Sequence, residues 1–375
     1  MCAARLTEWC RIPASGARAV APFDIDGLSL LAIPQLARDI PGEPANMNGG
    51  DPDTDLLILR RTETGYHSFQ TVSVPAGEDA EFFRIGDRAF LATASIRAGH
   101  APHDFATESA IYEWTGRNFE PFQRIPTFAA KQWRHFTIGD QHFLALAQGV
   151  AVPATTGRNR PSQILRWNGE SFVPFQEIPS QWAYNWHAFS IDGNDFLAHA
   201  DHVGPSRLYR WDGSAFVAQE ILAEQYGRAF ATFHADGEDY LLVACIAGPS
   251  RLLRWNGGHF AEAQVLDGQG AREFAVLSTG PDIYVIRVNF ILGSPAAPIT
   301  ALDSQLYQWQ DGKLVTIQEF PTFGGTDVAV TSDEHGPLVI VSNGLSAEVR
   351  FATDTIVYRF AAQPLRQHDQ PGSPR

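Results

Sequence analysis

The chain has 375 residues, of which 42 are acidic and 28 are Lys or Arg, so its formal net charge is −14. Hydrophobic residues make up 44% of the chain, which is enough for a sizeable core and excludes a globally disordered protein. The sequence shows no clustered cationic face, which argues against nucleic acid or an anionic membrane surface as a partner.

Other features of the sequence bear on where the protein is located. No apolar run is long enough for a transmembrane helix, and the first residues lack the apolar segment of a secretion signal. The three cysteines, Cys2, Cys10 and Cys245, are too few for a disulfide framework and have no zinc-binding spacing. These features predict a cytoplasmic protein.

A short motif recurs along the chain. It reads Ile-Leu-Arg-Trp-Asn-Gly at 164–169, Leu-Tyr-Arg-Trp-Asp-Gly at 208–213 and Leu-Leu-Arg-Trp-Asn-Gly at 252–257, with looser copies elsewhere. The aligned positions, 44 to 54 residues apart, are Arg61, Trp114, Trp167, Trp211, Trp255, Trp309 and Phe360. Seven repeat units therefore account for nearly the whole chain.

Each unit carries the pattern of four strands. In the third unit, apolar strands at 133–138 and 143–147 flank a Gly-Asp turn, and a third strand at 164–167 leads through Asn-Gly into a fourth at 172–176. Such a sheet buries its faces only against neighbouring units, so the units must stack in a closed ring. The sequence predicts an all-β, seven-bladed β-propeller.

The two ends of the chain predict how the ring closes. The seventh unit has a third strand near 355–360 but no fourth, whereas residues 5–13 match the fourth-strand pattern at 175–179. We therefore expect an N-terminal strand to complete the last blade and remove an open edge. The propeller is predicted to span 4–362, and 363–375 are predicted to form a disordered tail.

The repeat resembles a known family. Phe-Gln-x-Ile-Pro at 122–126 and 175–179, followed by Phe-Leu-Ala at 143–145 and 196–198, is similar to the epilepsy-associated repeat, also called the EPTP or EAR repeat. The resemblance covers roughly 4–362 and implies a seven-bladed propeller. In animal members it implies binding of partner receptors outside the cell. Because fold does not imply function, and no secretion signal or disulfide framework is visible here, we carry over the fold rather than receptor binding.

Loop lengths predict which face holds a site. In a propeller, the loops between second and third strands share one face with the connections between blades. These loops are long in blades 1, 2, 3 and 6 (34–55, 96–108, 150–162 and 290–304) and short in blades 4 and 5 (201–206 and 247–250). Long loops on a minimal repeat are usually functional, so this long-loop face is the predicted site.

Aligning the first strands places one set of residues at the channel mouth on that face. The predicted ligand-binding residues are Arg18, Glu78, Lys131, Trp182, Tyr184, Arg228 and Arg272, with Asp327 near the same level in blade 7. Converging cations attract a carboxylate, phosphate or enolate. The alternative is that these side chains only cap the channel, in pairs such as Glu78 with Lys131.

Two loop segments are candidates for metal binding. His100, His103 and Asp104 have a spacing that suits a metal ion, although loop histidines are more often simply solvated. The alternating acids of the blade 1 loop suggest calcium but lack the glycine and terminal glutamate of an EF-hand loop. No cofactor motif is present, and a cation in the central channel is compatible with the sequence. The acidic residues of that loop are Asp51, Asp53 and Asp55.

Two functional hypotheses follow. The first is a propeller that binds an anionic or aromatic small molecule, or a protein, at the long-loop face. The second is a cofactor-independent cyclase, lyase or isomerase using the same pocket, since such chemistry needs only positioning, a proton donor or acceptor and charge stabilisation. The candidate catalytic residues are Tyr184, His187, Arg228 and Arg272.

Overall fold

A computed structural model describes residues 4–151 and 159–362, and the predicted tail at 363–375 lies outside them. The described residues form seven four-stranded antiparallel sheets and one small hairpin, with no helix. The predicted seven-bladed β-propeller is confirmed. A helix able to cross a membrane is likewise not found within those residues.

The strands fall into four positions per blade, from the channel outward. The innermost strands are β2 (Ala21–Ile25), β6 (Gly77–Ile85), β10 (Gln132–Ile138), β14 (Ala183–Ile191), β18 (Gly227–Ala235), β22 (Ala271–Thr279) and β28 (Gly325–Asp333). The second strands are β3 (Leu28–Ile33), β7 (Arg88–Ser95), β11 (Gln141–Ala147), β15 (Asn194–Asp201), β19 (Glu238–Cys245), β23 (Asp282–Asn289) and β29 (Gly336–Asn343). The third strands are β4 (Asp55–Thr62), β8 (Ala106–Trp114), β12 (Ser162–Trp167), β16 (Ser206–Trp211), β20 (Ser250–Trp255), β26 (Ala301–Gln310) and β30 (Ala352–Ala361). The outermost strands are β5 (Gly65–Ser73), β9 (Phe119–Phe128), β13 (Phe172–Ile178), β17 (Phe216–Ala223), β21 (Phe260–Leu266), β27 (Lys313–Phe323) and β1 (Arg5–Ser15).

The N-terminal strand closes the ring as expected. β1 pairs antiparallel with β30, from Arg5 opposite Ala361 to Ser15 opposite Ala352, so blade 7 takes its outer strand from the start of the chain. The long loop of blade 6 contains the extra hairpin, formed by β24 (Leu292–Ser294) and β25 (Ala297–Ile299).

Glutamine side chains on the outer strands join consecutive blades. Each amide accepts from the backbone N–H and donates to the backbone C=O of the first apolar residue in the next outer strand, at 2.7–3.1 Å. Each of these amide clips satisfies one N–H and one C=O at the edge of the neighbouring outer strand. They join Gln70 to Phe119, Gln123 to Phe172, Gln176 to Phe216, Gln264 to Leu314 and Gln318 to Leu6.

Two junctions depart from this rule. Between blades 4 and 5, Glu220 accepts from the N–H of Phe260 at 3.1 Å, but a carboxylate has no donor for the carbonyl. Between blades 7 and 1, Cys10 occupies the corresponding position and has no amide.

Candidate functional site

The innermost strands bring seven equivalent residues to one level of the central channel. In each blade, one residue of the inner strand pairs with an equivalent residue of the second strand, as Phe23 pairs with Leu30 and Phe136 with Phe143. The residue five positions before that inner-strand residue belongs to a set that we name the channel ring. The ring consists of Arg18, Glu78, Lys131, Tyr184, Arg228, Arg272 and Thr326. The sequence alignment therefore identified six members. In blade 7 the sequence placed Asp327 near this level, and the register puts Thr326 at it and Asp327 one residue further along.

β-Bulges lie near the ring in three blades. The pairing register shifts between Gly77 and Asp79, between Ala271 and Glu273, and between Gly325 and Asp327. A bulge inserts one unpaired residue and breaks the alternation of side chains. In these three blades the ring residue and the residue after it both line the channel, as Lys131 and Gln132 do in blade 3 without a bulge.

The ring carries four cations and a single carboxylate. Glu78 is 3% exposed and accepts from Arg18 Nε at 3.2 Å and from Lys131 Nζ at 3.0 Å. Burial alone raises the pKa of Glu78, but Arg18, Lys131 and Arg272 outweigh it and hold that pKa at about 2. The expected Glu78–Lys131 pair is thus present, and it accounts for only part of the positive charge.

The remaining cations surround an aromatic ring. The centroid of Tyr184 lies 3.8 Å from Arg228 Cζ, 4.7 Å from Arg272 Cζ and 5.2 Å from Lys131 Nζ. Burial raises the pKa of the Tyr184 hydroxyl, but the three cations lower it by a larger amount, so this pKa lies below its usual value. Burial lowers the pKa of Arg228 to about 10.

Several N–H groups of these arginines have no partner. Arg272 Nε, Arg272 Nη1 and Arg228 Nε are buried and make no hydrogen bond with any described residue. Arg228 Nη1 donates to the carbonyl of Gly227, at 3.2 Å. Such unsatisfied charged donors are costly to bury, and of these two arginines only Arg272 lines the channel cavity.

The long loops and the connections between blades contribute to an apolar cap over the ring. Ala76 and Ala129 belong to the cap and Trp182 packs against it; each lies two residues before a member of the channel ring. Arg18 Cζ lies 5.4 Å from the centroid of the Phe290 side chain, which is also part of the cap. The apolar cap consists of Leu36, Ala37, Ala76, Ile96, Phe128, Ala129, Val150, Ile246, Phe290, Ile291, Leu345 and Phe351.

The channel cavity lies on the other side of the ring from the cap. It has a volume of about 680 Å³ and is lined by first-strand residues from the ring level toward the turns between first and second strands, with none from the cap. The sequence predicted a site on the long-loop face; this cavity lies beyond the ring, and a second cavity, of about 690 Å³, lies on the long-loop face between the loops of blades 1 and 6. Of the predicted ligand-binding residues, Arg18, Glu78, Lys131 and Arg272 line this cavity, whereas Trp182, Tyr184 and Arg228 do not.

Trp182 was expected to face a ligand. It packs beside Tyr184, with ring centroids 6.3 Å apart, and edge-on against His202 at 5.2 Å. Its indole Nε1 is buried without a hydrogen-bond partner. Trp182 thus links the apolar cap to the ring.

A layer of carboxylates follows the ring along the channel. Asp79 Oδ2 accepts from the N–H of Trp133 at 2.7 Å, and Asp327 Oδ2 accepts from the N–H of Val20 at 2.8 Å. Glu273 Oε2 accepts from the Asn185 amide at 2.6 Å. We name Asp79, Glu273 and Asp327 the carboxylate layer.

Burial dominates the titration of this layer. It raises the pKa of Asp79 to about 8, with a further contribution from Glu81, and raises that of Glu273 to about 8, helped by the neighbouring Asp327. The pKa of Asp327 is also raised, chiefly by burial. At neutral pH, Asp79 and Glu273 are therefore mostly protonated, which leaves more of the ring's positive charge uncompensated.

His187 lines the channel one layer further on. Its Nε2 lies 3.0 Å from the Thr232 hydroxyl, and burial lowers its pKa to about 3. The neighbouring Arg134 and Glu81 form an ion pair at 3.4 Å. With that pKa, His187 is neutral at neutral pH and is a poor proton donor there.

The loop candidates for metal binding make local hydrogen bonds. His103 Nδ1 lies 2.7 Å from the carbonyl of Gly99, and Asp104 Oδ1 accepts from the N–H of Ala106. Asp51 accepts from the N–H of Asp53, and Asp55 pairs with Arg38 at 3.4 Å. Across 4–151 and 159–362, no group of three or more His, Cys, Asp or Glu residues has a metal-binding arrangement.

Sequence reasoning placed Asp327 near the ring but missed Asp79 and Glu273 of the carboxylate layer. Its members directly follow ring residues, so simple alternation along a strand predicts that they point away from the channel. The signal that was available is the succession of two polar residues at the start of an inner strand: Glu78–Asp79, Lys131–Gln132, Tyr184–Asn185, Arg272–Glu273 and Thr326–Asp327.

Known proteins match the repeats themselves. The model of the EPTP domain matches residues 118–168, 171–212 and 215–256, which run from blade 2 to blade 5. A human protein named thrombospondin-type laminin G domain and EAR repeat-containing protein is 41% identical over 125 residues, which are 32% of this chain and 17% of that protein. The mouse protein of the same name is 30% identical over 148 residues, 38% of this chain and 21% of its own length.

The match to these relatives spans about a fifth of their length, so it concerns the repeats and not the whole proteins. The repeat matches and the seven four-stranded blades agree with each other and with the resemblance seen in the sequence. Residues 118–256 therefore match EPTP, or EAR, repeats, and they form part of a seven-bladed β-propeller.

Proposed function

We propose that the protein is a binding propeller that holds a small anionic molecule in its central channel, with the anionic group at the channel ring. The observation that carries this proposal is Arg272: it lines the cavity, is 6% exposed, and has two N–H groups without a partner. Lys131 and Arg18 line the same end of the cavity and provide further positive charge.

The size and closure of the site fit a small molecule. A cavity of about 680 Å³ is in the range of ordinary small-molecule sites, and the apolar cap closes its ring end. In this low-dielectric setting a charged hydrogen bond to the ligand is worth about 1.5–3 kcal/mol.

The test is binding of a panel of mono- and dicarboxylates and organic phosphates, measured by thermal shift and then calorimetry. Arg272→Gln should weaken the best ligand by about 10- to 100-fold, the loss of one charged hydrogen bond. Arg117→Gln, an exposed arginine on a blade turn, is the matched control and should bind normally. If no anion binds, or if both variants bind equally, the proposal is wrong, and a protein partner becomes the next hypothesis.

A cofactor-independent enzyme remains the second candidate because of Tyr184. Arg228, Lys131 and Arg272 lower the pKa of Tyr184 despite its burial, and its ring lies against Arg272, which lines the cavity; Tyr184 itself does not, so this role requires a ligand that reaches past Arg272. Conversion of a bound ligand that is lost in Tyr184→Phe, with ligand binding retained, would establish this role.

A further inference from the structure

A layer of cationic side chains and a layer of acidic side chains lie next to each other in the channel. The cations of the channel ring and the carboxylate layer are contributed by consecutive residues, as in Arg272 and Glu273, and both members of that pair line the cavity. One residue of strand rises about 3.3 Å, which is close to the separation of the charged groups in an α-amino acid.

Each layer has bonding capacity left. Arg272 is only 6% exposed, and two of its nitrogen atoms, Nε and Nη1, make no hydrogen bond with any described residue. The donors that reach the carboxylate layer are backbone N–H groups and the Asn185 amide, and none of Asp79, Glu273 and Asp327 has an ion pair within 4.0 Å among the described residues. A carboxylate accepts about four hydrogen bonds, so each keeps acceptor sites.

We propose that the channel ligand is zwitterionic, an α-amino acid or short peptide whose carboxylate meets the channel ring and whose ammonium meets the carboxylate layer. This inference rests on the proposed function and narrows its ligand class. A simple anion satisfies the ring but leaves the acceptor oxygens of the carboxylate layer unused, whereas a simple cation is repelled by the ring. A bound ammonium favours the charged form of the carboxylate beside it. A zwitterion satisfies both layers without adding net charge to a buried site.

The probes are the proteinogenic L-amino acids and glycyl dipeptides, screened by thermal shift and quantified by calorimetry. The best amino acid is then compared with its N-acetyl derivative and with the deaminated carboxylate of the same side chain. The free amino acid should bind at least about tenfold more tightly than either, since each derivative lacks the ammonium charge.

Variants separate the two layers. Glu273→Gln keeps the side-chain volume and should reduce amino-acid affinity about tenfold or more, while affinity for the deaminated carboxylate is unchanged or higher. Glu224→Gln, an exposed acid on the blade 4–5 connection, is the control and should change neither affinity.

The outcomes are distinguishable. Equal binding of the amino acid and its deaminated carboxylate, or loss of both in Glu273→Gln without loss of fold, overturns the zwitterion and leaves anion binding in place. Binding of neither class overturns both proposals.

Discussion

The amide clips and the channel ring are two sets of equivalent positions in the same blades, yet they have opposite character. The clip position is Gln in five blades, Glu220 in one and Cys10 in one, and its side chains bond backbone groups. The ring position has four cations, one acid, one tyrosine and one threonine, with several donors unpartnered. Positions that repeat hold the blades together, whereas those that vary give the channel its individual chemistry.

The largest expected effect comes from the pH dependence of the channel. In the folded protein the pKa of both Asp79 and Glu273 is about 8, against 3.8 and 4.5 ordinarily. The folded state therefore holds more protons between pH 4 and 8, so the stability that these groups contribute is complete below pH 4 and is lost as the pH rises through 8.

Chemical denaturation at several pH values measures this loss. The double variant Asp79→Asn with Glu273→Gln keeps hydrogen-bond acceptors for Trp133 and Asn185, and its stability should vary less between pH 4 and 8. A profile that is as steep in the double variant as in the parent would contradict the assignment. The amide clips have no titrating group, so Gln264→Ala should leave the slope unchanged.

Removing a clip should cost the next largest amount. Gln264→Ala removes the bonds to the N–H and C=O of Leu314, each 2.9 Å long, and should lower the free energy of unfolding by about 1–3 kcal/mol. Gln219→Ala is the matched control, since its amide makes a single exposed bond to the carbonyl of Gly258. An equal loss of unfolding free energy in both variants would show that the clip contributes no more to stability than a single exposed hydrogen bond.

Completing the exceptional clip should stabilise the protein. Glu220 accepts from Phe260 N–H, and burial raises its pKa, which shows that the charged form is disfavoured there. Glu220→Gln supplies the missing donor and should raise the free energy of unfolding by about 0.5–1.5 kcal/mol in denaturant titrations. A decrease would indicate that the carbonyl of Phe260 is already satisfied by solvent.

The smallest effect is expected at the ring. Arg228→Met removes an unpartnered buried donor but also its contact with the Tyr184 ring, so the free energy of unfolding should stay within about 1 kcal/mol of the parent. A loss above about 2 kcal/mol, on the scale of clip removal, would make the ring a structural element like the clips.

Much of the fold was predictable because the repeat encodes it. The Trp-Asn-Gly and Trp-Asp-Gly motifs fixed the third and fourth strands, and the missing strand after Phe360 predicted pairing with the N-terminus. Six members of the channel ring followed from aligning inner strands. The predicted cytoplasmic location and the tail at 363–375 stay predictions.

The site was less predictable because it depends on register and on loop packing. Asp79, Glu273 and Asp327 line the channel beside ring residues, at positions where the strand register shifts. Apolar side chains of the long loops pack together over the ring, so the channel cavity opens away from them.

The sequence by itself determined the number of blades, the closure of the ring and the residue types at the channel mouth, since a repeated local pattern directs the same local structure seven times. Only the tertiary structure decided that the channel cavity lies on the far side of the ring from the apolar cap and that cationic and acidic side chains follow each other within it. The physical reason is that burial, bulges and cap packing arise from contacts between blades, which no single repeat contains.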